Sequence, residues 1–260
     1  MNPRENALDV TVSGQTLDFR YGPGVKGPKP EYRTLDAIRP SLMEPDCIGP
    51  SPVYSIVMDV YREEDEADLH ARQLLFGVVA YAAGRLGKEP VRSQGHVHAI
   101  APHSGWSPPE LFEIWEGTAI IYAQEFTSDN PGRCFAIRAL PGEKVVVPPG
   151  WAHAVINADP ERRMVFGAWC DRQYGFEYSG VRAHGGLAYF PVLSDNSGIT
   201  WVPNPKYQVS GLKECGSRAY PELGLDPEQS LYGQYRAHPA SVEWVSQPQR
   251  FAELWTRFEP

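Results

Sequence analysis

The stretch Gly95–Gly117, GHVHAIAPHSGWSPPELFEIWEG, places two histidines one residue apart and reaches a glutamate only after a proline-rich detour. In a β-strand, residues i and i+2 leave the backbone on the same side. A strand here aims the imidazoles of His96 and His98 at one face of a sheet. Imidazole with carboxylate suits a divalent transition metal such as Fe, Mn, Zn or Ni. Alone the pair is a weak signal, because two surface histidines fit it equally well. The acid that completes the set is sought nearby. Glu110 is the first candidate, with Glu113, Glu116 and His103 as alternatives. Glu113, three positions on, faces the other side of a regular strand, while Glu116 shares the face of Glu110 but abuts the turning Gly117.

Working outward, residues 91 to 202 read as short apolar bursts cut by glycine and proline: TAIIYAQEF, RCFAIRAL, EKVVVPPG, HAVIN and RMVFGAWC. Strands at such spacing predict a β-sandwich or barrel. Upstream, VYSIVMDVY (53–61) and LLFGVVAYAAG (74–84) read as strands. RTLDAIRPSL (33–42) reads as a short helix opened by Thr34 and stopped before Pro40. The polar run REEDEADLHARQ reads as an exposed loop or helical turn. The tail SVEWVSQPQRFAELWTRF carries apolar residues near helical spacing, which predicts short helices against the barrel. No second histidine motif is present, so one barrel is expected.

Composition narrows the function. The 260 residues carry a net charge of -8 and no Lys/Arg run longer than a pair, which argues against an extended nucleic-acid footprint. The N-terminus lacks an apolar signal region and no apolar stretch approaches the ~18 residues of a span, so a cytoplasmic protein with no membrane partner is expected. Cys47, Cys134, Cys170 and Cys215 form no C-x-x-C pair and are expected as free thiols.

In GEKVVVPPGWAHAVIN, Gly142 is followed by Pro148, Gly150, His153 and Asn157. This spacing is similar to the second motif of the cupin family, and His96, His98, Glu110 and Gly117 resemble the first. One departure is visible: eleven residues separate His98 from Glu110, where cupins have only a few. A loop of that length costs modest closure entropy. The words GKEPVRSQGHVH, PELFEIWEG, VVVPPGWAHAVIN, YGFEYSGVRAHGG and PNPKY further resemble the cupin-type glucose-6-phosphate isomerases, over roughly residues 31–207.

The resemblance implies an all-β fold, a single cupin double-stranded β-helix (jelly-roll) barrel at 31–207, with an N-terminal arm at 1–30 and a partly helical C-terminal extension at 208–260. It implies one divalent transition metal (Fe, Mn, Ni or Zn) on His96, His98, Glu110 and His153. It assigns catalytic roles to Glu110 and His184, and substrate contacts to Ser93, Gly95 and Tyr178. The implied reaction interconverts glucose 6-phosphate and fructose 6-phosphate, as in glycolysis and gluconeogenesis, in a cytoplasmic homodimer. Phe112 stands where a tyrosine is common, Val79 where a phosphate-binding threonine is expected (with Tyr81 close by to compensate), and Gly150 where an aromatic is frequent. The rival readings are another metal-dependent cupin enzyme, such as an Fe(II) dioxygenase, and a non-catalytic sugar-binding cupin. For the isomerase, a base acting on an enediolate and a metal-assisted hydride shift are both open.

Overall fold

The structure, a computed structural model, describes residues 7–14, 16–194 and 198–260. The first six residues of the expected N-terminal arm lie outside this range. The main strands are β1 (Glu31–Arg33), β2 (Tyr54–Met58), β3 (Leu74–Tyr81), β4 (Val97–His98), β5 (Glu110–Glu116), β6 (Ala119–Gln124), β7 (Cys134–Ala139), β8 (Lys144–Val147), β9 (Ala152–Asn157), β10 (Met164–Asp171), β11 (Phe176–Glu177) and β12 (Leu212–Gly216). One sheet runs β8-β5-β10-β3-β2-β1, and a second runs β9-β6-β7-β12. All pairs are antiparallel except β7 with β12. The two sheets close over one core, the jelly-roll of a cupin barrel.

Period-two alternation fills that core. Phe112, Ile114, Phe166, Ala168, Val145 and Val147 from the first sheet meet Ile121, Ala123, Phe135, Ile137 and Val155 from the second. The alternate residues Phe76, Val78, Leu111, Val146 and Trp169 face outward and are covered by the C-terminal segment, through Leu231, Tyr232, Tyr235, Trp244 and Trp255. Trp169 stacks on Tyr232 and meets Phe76 edge-on. Both faces of the first sheet are thus covered, which is why β3 is buried at all eight positions and reads as an unbroken apolar run. The outer face of the second sheet packs Tyr122 and Ile156 against Val181, Leu187 and Tyr207.

Helices are short. Leu35–Ile38 (α1) begins after Thr34, whose side chain makes no cap bond. The polar run forms Glu66–Ala71 (α2), anchored by the buried Leu69. Ser179–Ala183 (α3) follows the barrel. The tail folds as Leu231–Ala237 (α4), Glu243–Ser246 (α5) and Ala252–Trp255 (α6), joined by 3₁₀ turns that start at Pro239 and Pro248. Proline tolerates the first position of such a turn but interrupts a longer helix.

Gly117 closes the turn after β5 with φ of 80°, and a Cβ there would lie 2.6 Å from the Arg163 carbonyl oxygen. Gly117→Ala combines left-handed strain with a backbone clash, and is expected to lower unfolding free energy by about 2 kcal/mol. Chemical denaturation reads this directly. A change under about 0.5 kcal/mol would show that the turn adapts.

Candidate metal centre and active-site cavity

His96 is set by its neighbour. Gly95 has φ of 89°, and a Cβ on it would meet Leu187 at 2.8 Å, so only glycine allows this approach. The backbone of His96 then exchanges two hydrogen bonds with His153, at 3.1 and 2.9 Å. Their rings lie 4.4 Å apart between centroids, and each is 5.1 Å from the His98 ring. The insertion between His98 and Glu110 is stitched down rather than loose. Ser107 Oγ donates to the His98 carbonyl at 2.6 Å and accepts from the Gly150 amide at 3.1 Å. This returns the chain so that Glu110 enters β5 facing the barrel interior.

His96, His98, Glu110 and His153 each offer a ligand atom, and these atoms all lie within 4.8 Å of one another. His98 Nδ1 faces the Pro108 carbonyl at 3.0 Å, and His153 Nδ1 faces the Trp151 carbonyl at 3.2 Å. An Nδ1–H given to a carbonyl leaves Nε2 with a free lone pair turned into the site. Nε2 of His153 lies 3.0 Å from Glu110 Oε2, and that of His98 lies 3.3 Å away without hydrogen-bond alignment. The buried Nε2 atoms of His96 and His98 have no hydrogen-bond partner among the described residues. Orphaned buried nitrogens around a carboxylate fit a metal ion, which would satisfy them together. Burial, reinforced by His153 and His98, pushes His96 well below its ordinary value, so the ring is neutral. Burial alone would raise the Glu110 carboxyl, but the His153 and His98 rings beside it outweigh that and hold the group well below the usual range.

The alternative fourth ligands fall elsewhere. Glu113 faces outward, accepting from the Leu231 amide at 3.0 Å. A bulge between Ile114 and Glu116 breaks the register. Glu116 leaves the interior to pair with Arg163 at 2.8 Å, so the expected shared face with Glu110 does not hold. His103 is not a free surface residue: its Nε2 lies 3.0 Å from the Ser246 carbonyl and 3.1 Å from Asp171.

His96, Glu110 and His153 line a cavity together with Ser93, Gln94, Gly95, Phe176, Tyr178 and Cys170, and with Arg33, Tyr54, Val79 and Tyr81. Of the expected substrate residues, Ser93, Gly95 and Tyr178 therefore line it. The Ser93 hydroxyl also accepts from the Val155 amide at 3.0 Å. Tyr81, beside Val79, reaches the same hydroxyl. His184 is not brought to the cavity. Its Nδ1 faces the Gly180 carbonyl at 2.9 Å, its Nε2 lies 3.1 Å from Asp129, and its ring stacks on Tyr207. Helix α3 intervenes, and its winding carries residue 184 to a different side from Tyr178. Arg92, next to Ser93, is buried against Glu89 at 2.6 Å and the Ser41 carbonyl.

Spacing alone did not single out Cys170 or Phe176. The Phe176 ring meets His96 edge-on at 4.5 Å. The Cys170 thiol donates to Glu110 Oε1 at 3.3 Å, and burial, with Glu110 beside it, pushes the thiol well above its ordinary value, so it stays S–H. Cys170 thus fixes the oxygen of Glu110 that points away from His153. Cys170→Ala is expected to lower turnover about 2- to 10-fold with bound metal unchanged, the worth of one neutral hydrogen bond. Metal content and kcat measured on the same sample check this; loss of metal would mean that the thiol supports the ligands instead.

The family described as "Glucose-6-phosphate isomerase (GPI)" matches residues 41–209. The glucose-6-phosphate isomerase of Thermococcus gammatolerans is 27% identical over 201 residues, covering 75% of this chain and 96% of that one. That of Pyrococcus horikoshii is also 27% identical, over 200 residues with the same coverage. Among solved structures, an oxalate oxidase shares 14% identity over 40% of this chain and 45% of its own, with a TM-score of 0.32. With a family match over more than half its length, and with the histidine and glutamate positions of that match gathered at one point, the chain belongs to the glucose-6-phosphate isomerase family.

Proposed function

We infer that this protein interconverts glucose 6-phosphate and fructose 6-phosphate, with His96, His98, Glu110 and His153 holding one divalent transition metal. The observation that carries the reading is the convergence of those four side chains, of which His96, Glu110 and His153 also line the cavity, in a chain of this family. A metal held by these residues would supply positive charge to stabilise the negative charge that builds on the sugar oxygens. Glu110 is the base: it takes the proton from C2 of the aldose and returns it to C1, while the hydroxyl proton on O2 passes to O1, giving the ketose. That Oε1 accepts from the Cys170 thiol while Oε2 lies toward His153 supports Oε1 as the oxygen that takes the proton. Tyr178, Ser93 and the backbone at Gly95 line the path of the substrate. The apolar walls Val79, Phe112, Phe166 and Phe176 exclude water, which strengthens every charge interaction inside.

The test is chelation followed by refilling with Fe, Mn, Ni or Zn, and a coupled isomerase assay under argon. Isomerisation restored by one metal without oxygen is the expected result. Activity that persists after complete metal removal would overturn the metal's role, and oxygen uptake with no isomerisation would favour the dioxygenase. We also propose a cytoplasmic homodimer with the arm at 1–30 and the extension at 208–260 flanking the barrel; light scattering reads the oligomeric state.

A further inference from the structure

Two parts of the chain depart from the family pattern, and they meet each other. One is the eleven-residue stretch between His98 and Glu110; the other is the tail beyond residue 209. The insertion is a closed unit. The Ala101 amide donates to the Trp106 carbonyl at 2.9 Å, and the Gly105 amide to the Ala101 carbonyl at 2.9 Å. Its near end serves the metal centre. Pro108 presents the carbonyl that faces His98 Nδ1 at 3.0 Å, and Ser107 Oγ bonds both the His98 carbonyl and the Gly150 amide. Its far end is held by His103.

A carbonyl only accepts, so the His103 Nε2 that lies 3.0 Å from the Ser246 carbonyl carries a hydrogen and donates it there. Asp171 Oδ2 lies 3.1 Å from the same nitrogen. The Asp171 carboxyl is fully buried at the end of β10, directly after Cys170, and its Oδ1 accepts from the Gln173 amide at 2.7 Å. Oδ2 has no aligned hydrogen bond among the described residues. A buried carboxylate oxygen left so is costly, and the His103 N–H is a donor within reach. Ser246, also fully buried, passes the tie on: its Oγ donates at 2.7 Å to the carbonyl of Arg72, just after α2. One imidazole thus joins the insertion to β10 and the tail. Trp106 adds apolar packing against the cluster that the tail covers, but apolar contact has no direction, whereas the His103 bond does.

We propose that His103 is a positioning residue for the metal centre: by pinning the far end of the insertion to Asp171 and the tail, it lets Pro108 and Ser107 hold His98 in one orientation. This rests on the metal reading of the cluster and deepens it. His103 is not among the cavity-lining residues, so it acts through His98. Without the pin the insertion shifts, and the contact between His98 Nδ1 and the Pro108 carbonyl loosens. That contact fixes the tautomer that leaves Nε2 free to coordinate.

The experiment titrates Co(II) into metal-free wild type, His103→Ala, His103→Gln and Ile100→Ala, and records the visible spectrum of each loaded protein. Backbone hydrogen exchange over residues 99–107 is followed without metal. His103→Ala is expected to weaken cobalt binding roughly 10-fold, the lower end of the range for losing an outer partner of a metal ligand. Its cobalt bands shift and exchange across the insertion quickens. With saturating cobalt, kcat for fructose 6-phosphate falls about 3- to 10-fold while KM stays within about 3-fold. His103→Gln keeps an N–H at similar reach and recovers most of the affinity. Ile100→Ala, at a 67% exposed position of the same insertion, matches wild type throughout. A folded His103→Ala with wild-type cobalt affinity and spectrum overturns the proposal, as does equal weakening by Ile100→Ala. If the alanine variant does not fold, His103→Asn, too short to reach Ser246, is read in its place by the same criteria. If wild type takes up no cobalt, the metal reading falls, and exchange alone decides the pin: faster exchange in His103→Ala upholds it and unchanged exchange removes it.

Discussion

Replacing His153 with alanine is expected to strip the metal and cut isomerase turnover by roughly 1,000-fold or more. Losing even an outer-shell partner of a metal ligand costs about 10- to 100-fold, and His153 supplies a ligand nitrogen itself. The structure adds a second reason. His153 Nε2 is 3.0 Å from Glu110 Oε2, and its backbone holds His96 in place. The alanine retains the backbone bonds but leaves the buried carboxylate short of a partner. Metal analysis of the dialysed variant, with the coupled assay on the same sample, is the measurement. A His153→Ala protein that keeps stoichiometric metal would break the four-ligand assignment.

Glu110→Gln has a different signature. Glutamine matches glutamate in shape and can still coordinate weakly through its carbonyl oxygen, but it cannot accept a proton. Turnover is expected to fall about 100- to 10,000-fold, the range for removal of a general base. Supplying excess metal separates the two roles: turnover that recovers fully would make Glu110 a ligand only. Deuterium placed at C2 then decides the route. Exchange with solvent during isomerisation is expected for a carboxylate base, whereas complete carry-over to C1 would indicate the hydride shift.

Much of this centre was legible before any fold was known. The i, i+2 spacing of His96 and His98 and the Gly-Pro-Gly-His-Asn ladder around His153 are local patterns, and strand parity rightly turned Glu113 away from Glu110. Parity failed at Glu116 because a bulge adds one residue to the strand, and bulges leave no period-two mark. His184 was assigned by resemblance alone, and here helix α3 stands between it and the cavity that Tyr178 lines. The tail was read as helical from its spacing, and the prolines within it cut that helix into turns.

The barrel and the H-x-H pair follow from short-range order, since side-chain period and turn glycines act over a few residues, whereas His153 and the choice of Glu110 came from the resemblance of the two motifs to a known family. Arg33, Tyr54 and Cys170 are another matter. They come from strands remote in sequence and meet the centre through hydrogen-bond register between β1, β2, β3, β10 and β5. Register depends on how two distant faces pack together, and a one-residue slip would turn each of these side chains out of the cavity. The paired histidines were therefore written locally, while Arg33 in the cavity lining and the thiol beside Glu110 became visible only when the sheets closed.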